Sequence, residues 1–461
     1  MTETVKQKKG QMDLTQGNVT KGFLVFMIPI ILGNIFTQLY NMVDSIIVGQ
    51  FVGGDALAAV GASFSLTMMI NSFLISVGAG ATVVVAQYYG AKKADSVNKT
   101  VNTAMIVALI VSVAITVIGL VTASPVMKLI KTPDNIFQDA LDYYIIIIIG
   151  TVGHLYYQMC SSILRGMGDS VWPLGLLIFC SILNIGLDLL FVVVFNMGVT
   201  GAAWATILAQ LISAIAVIFR LCGKRYNITV RPSTLRIHPD LAKSILLIGI
   251  PAGLQQLVTS AGSTVVQTFT NSFGSNVANS TIIKIDGFII LPMMAIGTAI
   301  TTFVGQNIGA KKHERLKEGI RLSLILACAL AVGLGIILFA CAPYAVRLFT
   351  DEQAIIDVGT VGLRTLGFFY IFAALNNTLT GIIRGAGAST IPMLSAFLNI
   401  GFRIVLSYVL AYRANDYTGL YYAMIIGNAA NALTLILYYK LGHWREASVI
   451  TDTSNAEKAE A

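Results

Sequence analysis

Twelve stretches of this chain stay apolar for about 20 residues or more, and nothing else in the sequence limits its fold as strongly. They fall at 23–48, 58–86, 100–123, 138–162, 173–195, 199–221, 244–270, 278–305, 321–345, 358–382, 391–412 and 419–440. At 1.5 Å of rise per residue, about twenty helical residues cross a hydrocarbon core of roughly 30 Å. Inside lipid only helices and closed barrels satisfy their own backbone. The chain is 56% hydrophobic and 11% charged, against about 25% charged in a soluble domain. That is too little charge to coat a globule of 461 residues. The reading is an all-α integral membrane protein with twelve transmembrane helices.

The first segment carries a stripe that such a helix does not need for lipid. On a helix, Asn34, Thr37, Gln38, Asn41, Asp44 and Ser45 recur at steps of three and four and so share one face. The remaining arc is Ile, Leu, Phe, Val and Met, which suits lipid and neighbouring helices, so the stripe is expected to face a cavity. An ionised Asp at mid-membrane costs about 2.5–3.5 kcal/mol on insertion scales, so Asp44 calls for a function. Asn184 and Asp188 in segment five are four apart and also share a face.

Loop charge sets the expected orientation. With the N-terminus in the cytosol, 23 of the 30 Lys and Arg fall on the cytosolic side and 4 on the outer side. By the positive-inside rule both termini are cytosolic, in a multi-pass protein of the cell (inner or plasma) membrane. The N-terminus has no cleavable apolar core, and the last residues, TDTSNAEKAEA, read as a disordered tail.

The chain repeats itself. GAGATVVVAQYYGAKK at 78–93 matches GTAITTFVGQNIGAKK at 297–312, and LRGMGDSVWP at 164–173 matches IRGAGASTIP at 383–392, both at an offset of 219. The first segment finds its partner at offset 222, Pro29 with Pro251 and Gln38 with Ser260. Two pseudo-symmetric six-helix lobes follow: 1–221 with a cytosolic tail, a cytosolic inter-lobe loop at 222–243, and 244–461. An even number of spans per half makes the repeats parallel. Two such halves suit alternating access.

Several classes fall away. There is no HExxH, GxSxG, clustered His or paired Cys, so a membrane-embedded enzyme has no catalytic set. The five cysteines are scattered and read as small apolar residues. No cofactor is implied. The net charge of +8 sits in short loops rather than on a stripe, which sets nucleic acid aside. The expected partners are the bilayer and a small organic substrate, with the protein a monomer.

QLYNMVDSIIVGQFVGGDALAAVG in segment one, GQNIGAKK, the LRGMGDS turn and NIGLD in segment five together resemble the multidrug and toxic compound extrusion (MATE) family across about 20–445. The resemblance implies a V-shaped pair of six-helix lobes and an antiporter that takes up Na⁺ or H⁺ and expels organic, often cationic and amphipathic, compounds. By motif position it places the coupling site on Asp44, Asn184, Asp188 and Thr206, which would also be the ligands if the ion is Na⁺. The depth of these residues along their segments agrees. Four oxygen-bearing side chains suit a hard cation, and two acids at one site could equally share a proton.

The second half departs from members that carry acids in segments seven and ten. Here Gln256, Ser263 and Gln267 occupy segment seven and Asn376 segment ten, while Arg403 or Ser407 stands opposite Asp188. Coupling is therefore expected in the N-terminal half. Asn34, Gln38, Asn41, Gln256, Ser263, Gln267, Asp286, Asn376 and Arg403 are the expected cavity-lining residues. An alternative, a flippase of lipid-linked or polyprenyl carriers on a related fold, would want several cavity cations. Lys284, Arg364 and Arg403 are only three.

Overall fold

The structure is a computed structural model that describes residues 12–223, 226, 228–230, 235–271, 276–347, 351–367 and 369–450. The described residues form helices and no strands. The first half holds α1 (Val19–Phe51), α2 (Gly54–Gly90), α3 (Ala94–Leu129), α4 (Phe137–Ile149), α5 (Thr151–Gly166), α6 (Val171–Asp188) and α7 (Gly198–Leu221). The second holds α8 (Pro239–Asn271), α9 (Asn276–Gly309), α10 (His313–Arg347), α11 (Gln353–Gly367), α12 (Tyr370–Ala386), α13 (Thr390–Leu406) and α14 (Thr418–Leu441). Among the described residues, ten helices are long and apolar enough to span a membrane alone. The pairs α4–α5 and α11–α12 bend by 47° and 48° and make two more spans if each counts once. Segments four and ten of the sequence are thus broken rather than straight. Gly150 sits at the first break, where a side chain would collide with Ile207 on α7.

Segments five and eleven also differ from plain α-helix. Directly after Asp188 the chain runs as a π-helix over Leu189–Val194, and directly after Leu406 it does so again over Ser407–Arg413. Such insertions shift the register of the following side chains and gather at functional sites. They fall at the same point of the two repeats. The backbone repeats elsewhere too: positive φ occurs at Lys92 and Lys311, at Gly168 and Gly387, and at Asn196 and Asn415, each pair 219 apart. Two halves whose sequences match only in patches therefore share these three turns residue for residue.

By packing, the chain separates into two compact units. One is built chiefly from Ile28–Val85 and Lys93–Gly253, the other from Leu14–Met27, Ala86–Lys92 and the chain from Leu254 onward. In the first unit α7 is the common surface on which α4, α5 and α6 pack. In the second, α12 lies along α9, and a side chain at Gly381 would run into the Gly297 carbonyl. Lipid offers no hydrophobic drive between helices, so such small-residue contacts carry the packing. Large apolar side chains such as Val121, Leu129 and Phe219 remain more than 70% exposed on the outside, as expected where lipid is the solvent.

The inter-lobe connector is tied to the first unit. Thr229 accepts from Asn102 Nδ2 at 3.1 Å and donates its N–H to Asn98 Oδ1 at 3.0 Å. Tyr226 donates its hydroxyl to Asp169 Oδ2, and the Arg220 guanidinium lies 4.2 Å over the Trp172 ring. The terminal residues 451–461 lie outside the described residues.

Candidate functional site

Four elements of the first unit converge on two carboxylates. α1 brings Asp44 and, one turn earlier, Tyr40. α4 brings Tyr143. α6 ends on Asn184 and Asp188, and α7 brings Thr206. Asn184 and Asp188 are fully buried and Asp44 is half-buried. The carboxyl groups of Asp44 and Asp188 lie within hydrogen-bonding reach of each other, and the Tyr40 and Tyr143 hydroxyls lie within electrostatic range of both.

Asn184 organises the group. Its amide nitrogen donates to Asp188 Oδ2 at 2.9 Å and to the Tyr40 hydroxyl at 3.2 Å, and its oxygen accepts from the Thr206 N–H at 3.2 Å. The opposite amide orientation would leave the nitrogen only the Thr206 hydroxyl, at 3.4 Å, and would set oxygen against oxygen. Hydrogen-bond pairing selects the first. Thr206 donates its own hydroxyl to the Ala202 carbonyl at 3.0 Å. Among the described residues, Asp44 Oδ1 and Asp188 Oδ1 are buried and meet no hydrogen-bond donor.

One turn beyond the carboxylates the surroundings become apolar. Val48, Ala56, Tyr143, Val192, Val199, Ala202 and Ala203 form one buried cluster with Val52 and Val60 packed against it. A pair of acids capped by such a layer sits in low dielectric on that side, where an uncompensated charge is costly. The donors are carboxylate, amide and hydroxyl oxygens, a hard set suited to H⁺ or Na⁺ rather than to a soft metal. Among the described residues no group of three or more His, Cys, Asp and Glu gathers as a metal site.

The structure brings together all four residues of the expected coupling set. Tyr40 and Tyr143 join them without having been singled out. Tyr40 stands four residues before Asp44, on the same stripe, so its signal was present in the sequence. Tyr143 arrives through packing of α4 on α7, which nothing local in segment four reveals.

The expected cavity residues fare differently. Asn34, Gln38 and Asn41 are half-buried on α1, as are Gln256 and Gln267 on α8, while Ser263 is exposed. Asn376 is buried and donates to the Asn428 carbonyl at 3.1 Å, and Asn399 donates to Asn428 Oδ1 at 3.2 Å. These amides bind one another within the second unit. Arg403 is half-buried on α13, its stem against Gly427. The side chains of Asp286 and Lys284 lie outside the described residues. Ser407, at the position of Asp188 in the second repeat, is buried at the start of the second π-helix.

Described residues that are all helical, with internally repeated halves and a carboxylate pair buried among apolar spans, define a multi-pass membrane protein with an intramembrane acidic site. Comparison with known proteins narrows this. The MatE family model matches twice, over residues 29–190 and 251–409. The two starts lie 222 apart and the two ends 219 apart, the same offsets as the sequence repeat. The probable multidrug resistance protein YpnP of Bacillus subtilis is 30% identical over 95% of this chain and 99% of its own length. The probable multidrug resistance protein NorM of Thermotoga maritima is 26% identical, covering 94% and 95%. Among solved structures, a MOP superfamily transporter from Pyrococcus furiosus superposes with a TM-score of 0.87 at 24% identity, covering 95% of this chain and 98% of that one. The chain belongs to the MatE family.

Proposed function

We propose that this protein exports small organic, chiefly cationic and amphipathic, compounds by alternating access, driven by entry of H⁺ or Na⁺ at Asp44 and Asp188. The observation that carries this reading is the pair of adjacent carboxyl groups, each with a buried oxygen that meets no donor among the described residues. Two such carboxylates cannot both stay charged and bare in low dielectric. A proton between them, or a cation coordinated by both, supplies the missing partner. The direct carboxyl-to-carboxyl contact favours a proton in this arrangement, since a hydrogen bond between two carboxyls needs one.

Asn184 holds Asp188 by a charge-assisted bond, Thr206 fixes Asn184, and Tyr40 shares the same amide. Occupancy changes the net charge of this group by one, and that difference can favour one arrangement of the transporter over another. The loop-charge bias supports a cytosolic position for both termini. A single charge moving inward across 100 mV releases about 2.3 kcal/mol. That sustains about a 50-fold gradient of a neutral exported compound; exchanged one for one with a monovalent cation the cycle moves no net charge, and the drive is the concentration gradient of the ion itself. The relatives' names, multidrug resistance proteins, support the substrate class.

Asp44→Asn tests this. Everted vesicles carrying the variant should lose gradient-driven uptake of a fluorescent organic cation, with the protein present at normal amount. Normal uptake by Asp44→Asn would remove the carboxylate pair from the mechanism.

A further inference from the structure

From the carboxylate pair toward the start of α6, three helices of the first unit turn polar side chains into their own packing. α5 and α6 both pack on α7. Thr206, Gln210 and Ser213 follow one another on α7 at steps of four and three, so they share a helix face. His154, Tyr157, Ser161 and Arg165 do the same on α5 at steps of three, four and four. On α6, Cys180 stands one turn before Asn184. Apolar side chains would fill such an interface at less cost, since an unpaired polar group inside a membrane bundle is expensive.

The rows meet. Cys180 lies within electrostatic range of the Tyr40 and Tyr157 hydroxyls. Ser213 stands beside the Cys180 thiol, Gln210 beside the His154 ring and Ser161 beside the Tyr157 hydroxyl. Yet the Ser161 and Ser213 hydroxyls, both on fully buried residues, and both ring nitrogens of His154 make no hydrogen bond among the described residues. Each keeps a position that one intervening water can fill. Of the other titratable groups nearby, Tyr40, Asp44, Tyr143 and Asp188 form the site itself, while Tyr156 and Cys160 turn to Met105 on α3. Arg165 ends the row on α5 and donates to the Ser162 hydroxyl at 2.8 Å.

The second repeat supplies an internal comparison. It carries no acid at the position of Asp188, and it has Ala373, Ala429 and Ala432 where the first has His154, Gln210 and Ser213. Its polar residues at the positions of Tyr157 and Cys180, Asn376 and Asn399, both donate to Asn428. The continuous row accompanies the carboxylates.

We propose that the polar row from Cys180 through Ser213, His154 and Tyr157 to Ser161 is the route by which a proton leaves Asp44 and Asp188, through the interior of the first unit rather than along the path of the substrate. It leads to the end of α5 that the loop charges assign to the cytosol. Each group takes up one proton and gives up another, so no net charge stays behind once the proton has passed. The fixed charge of Arg165 opposes an excess proton at the mouth and guards the row against free leak. The inference rests on the proton-coupled form of the function proposed above.

Everted vesicles separate the two. Ethidium uptake driven by an acid lumen requires a proton to leave in every cycle, whereas exchange of radiolabelled for unlabelled ethidium without a gradient does not. Ser213→Ala and Ser161→Ala, each the loss of one oxygen, should slow uptake roughly five- to tenfold, the effect of losing about one net hydrogen bond from the route. Exchange should stay within about twofold of the parent. Ser181→Ala removes a buried α6 hydroxyl that donates to the Leu177 carbonyl, and should change neither rate. Parent uptake that ignores the pH gradient, or that survives Asp44→Asn, overturns the coupling reading and the inference with it. Uptake that follows the gradient and is lost in Asp44→Asn, but stays at the parent rate in both serine variants, overturns the inference alone. Equal slowing of uptake and exchange also overturns it, because that marks a structural role. If one serine variant is not present at normal amount, the other decides.

Discussion

Tyr40→Phe removes one oxygen from the carboxylate group and leaves every carbon in place. The Tyr40 hydroxyl accepts one of the two amide hydrogens of Asn184, at 3.2 Å, while the other goes to Asp188 Oδ2 at 2.9 Å. Without the hydroxyl the buried amide keeps one unpaired N–H, at a cost of about 1–3 kcal/mol. Part of that is recovered if Asn184 turns, but turning weakens its bond to Asp188. A shift of roughly 5- to 50-fold in the ion concentration that half-saturates efflux follows. Asn184→Ala removes the charge-assisted bond itself, worth about 1.5–3 kcal/mol, and should shift the same constant about 10- to 150-fold. If Tyr40 acts through Asn184, the two changes are not additive, and Tyr40→Phe should do little in an Asn184→Ala background. The assay is initial efflux rate against coupling-ion concentration for the two single variants and the double. Effects that multiply would refute the reasoning, because they would show that Tyr40 serves the site independently of the amide.

Three further outcomes follow from other parts of the fold. Gly381→Ala should lower the melting temperature in detergent, since its Cβ would strike the Gly297 carbonyl, and overpacking of this kind costs about 1–3 kcal/mol; Gly333→Ala, inside α10 with nothing within 4 Å, should not lower it and should raise it slightly. Tyr226→Phe frees the connector from Asp169 and should increase proteolytic nicking between residues 222 and 238 severalfold, with efflux retained. Ser407→Ala should leave ion dependence within about twofold of the parent, because the position opposite Asp188 carries no acid and its loss is a single hydroxyl.

Much of this was legible in the sequence because lipid leaves a chain few options. Twelve apolar stretches and the 219-residue offset led to the spans and the repeat, and the offset returns in the backbone itself, at Lys92 and Lys311 and at the paired π-helices. Asp44 and Asp188 stood out because a carboxylate at that depth is costly. The breaks in segments four and ten were hidden, since an apolar run reads the same whether a helix is straight or bent at Gly150. The π-helix after Asp188 was hidden for a related reason: LLFVVV is equally apolar in either helix type. The place of Tyr143 depends on contacts distant in sequence, which neither periodicity nor composition records.

The most direct test of the central claim is efflux of a fluorescent cation from liposomes containing the purified protein. A Na⁺ gradient or a pH gradient is imposed separately, for the parent and for Asp188→Asn. The account predicts efflux that follows one of the two gradients and disappears in Asp188→Asn while the variant remains folded. Efflux that needs neither gradient, or that survives the substitution, would contradict it and move the coupling chemistry away from Asp44 and Asp188.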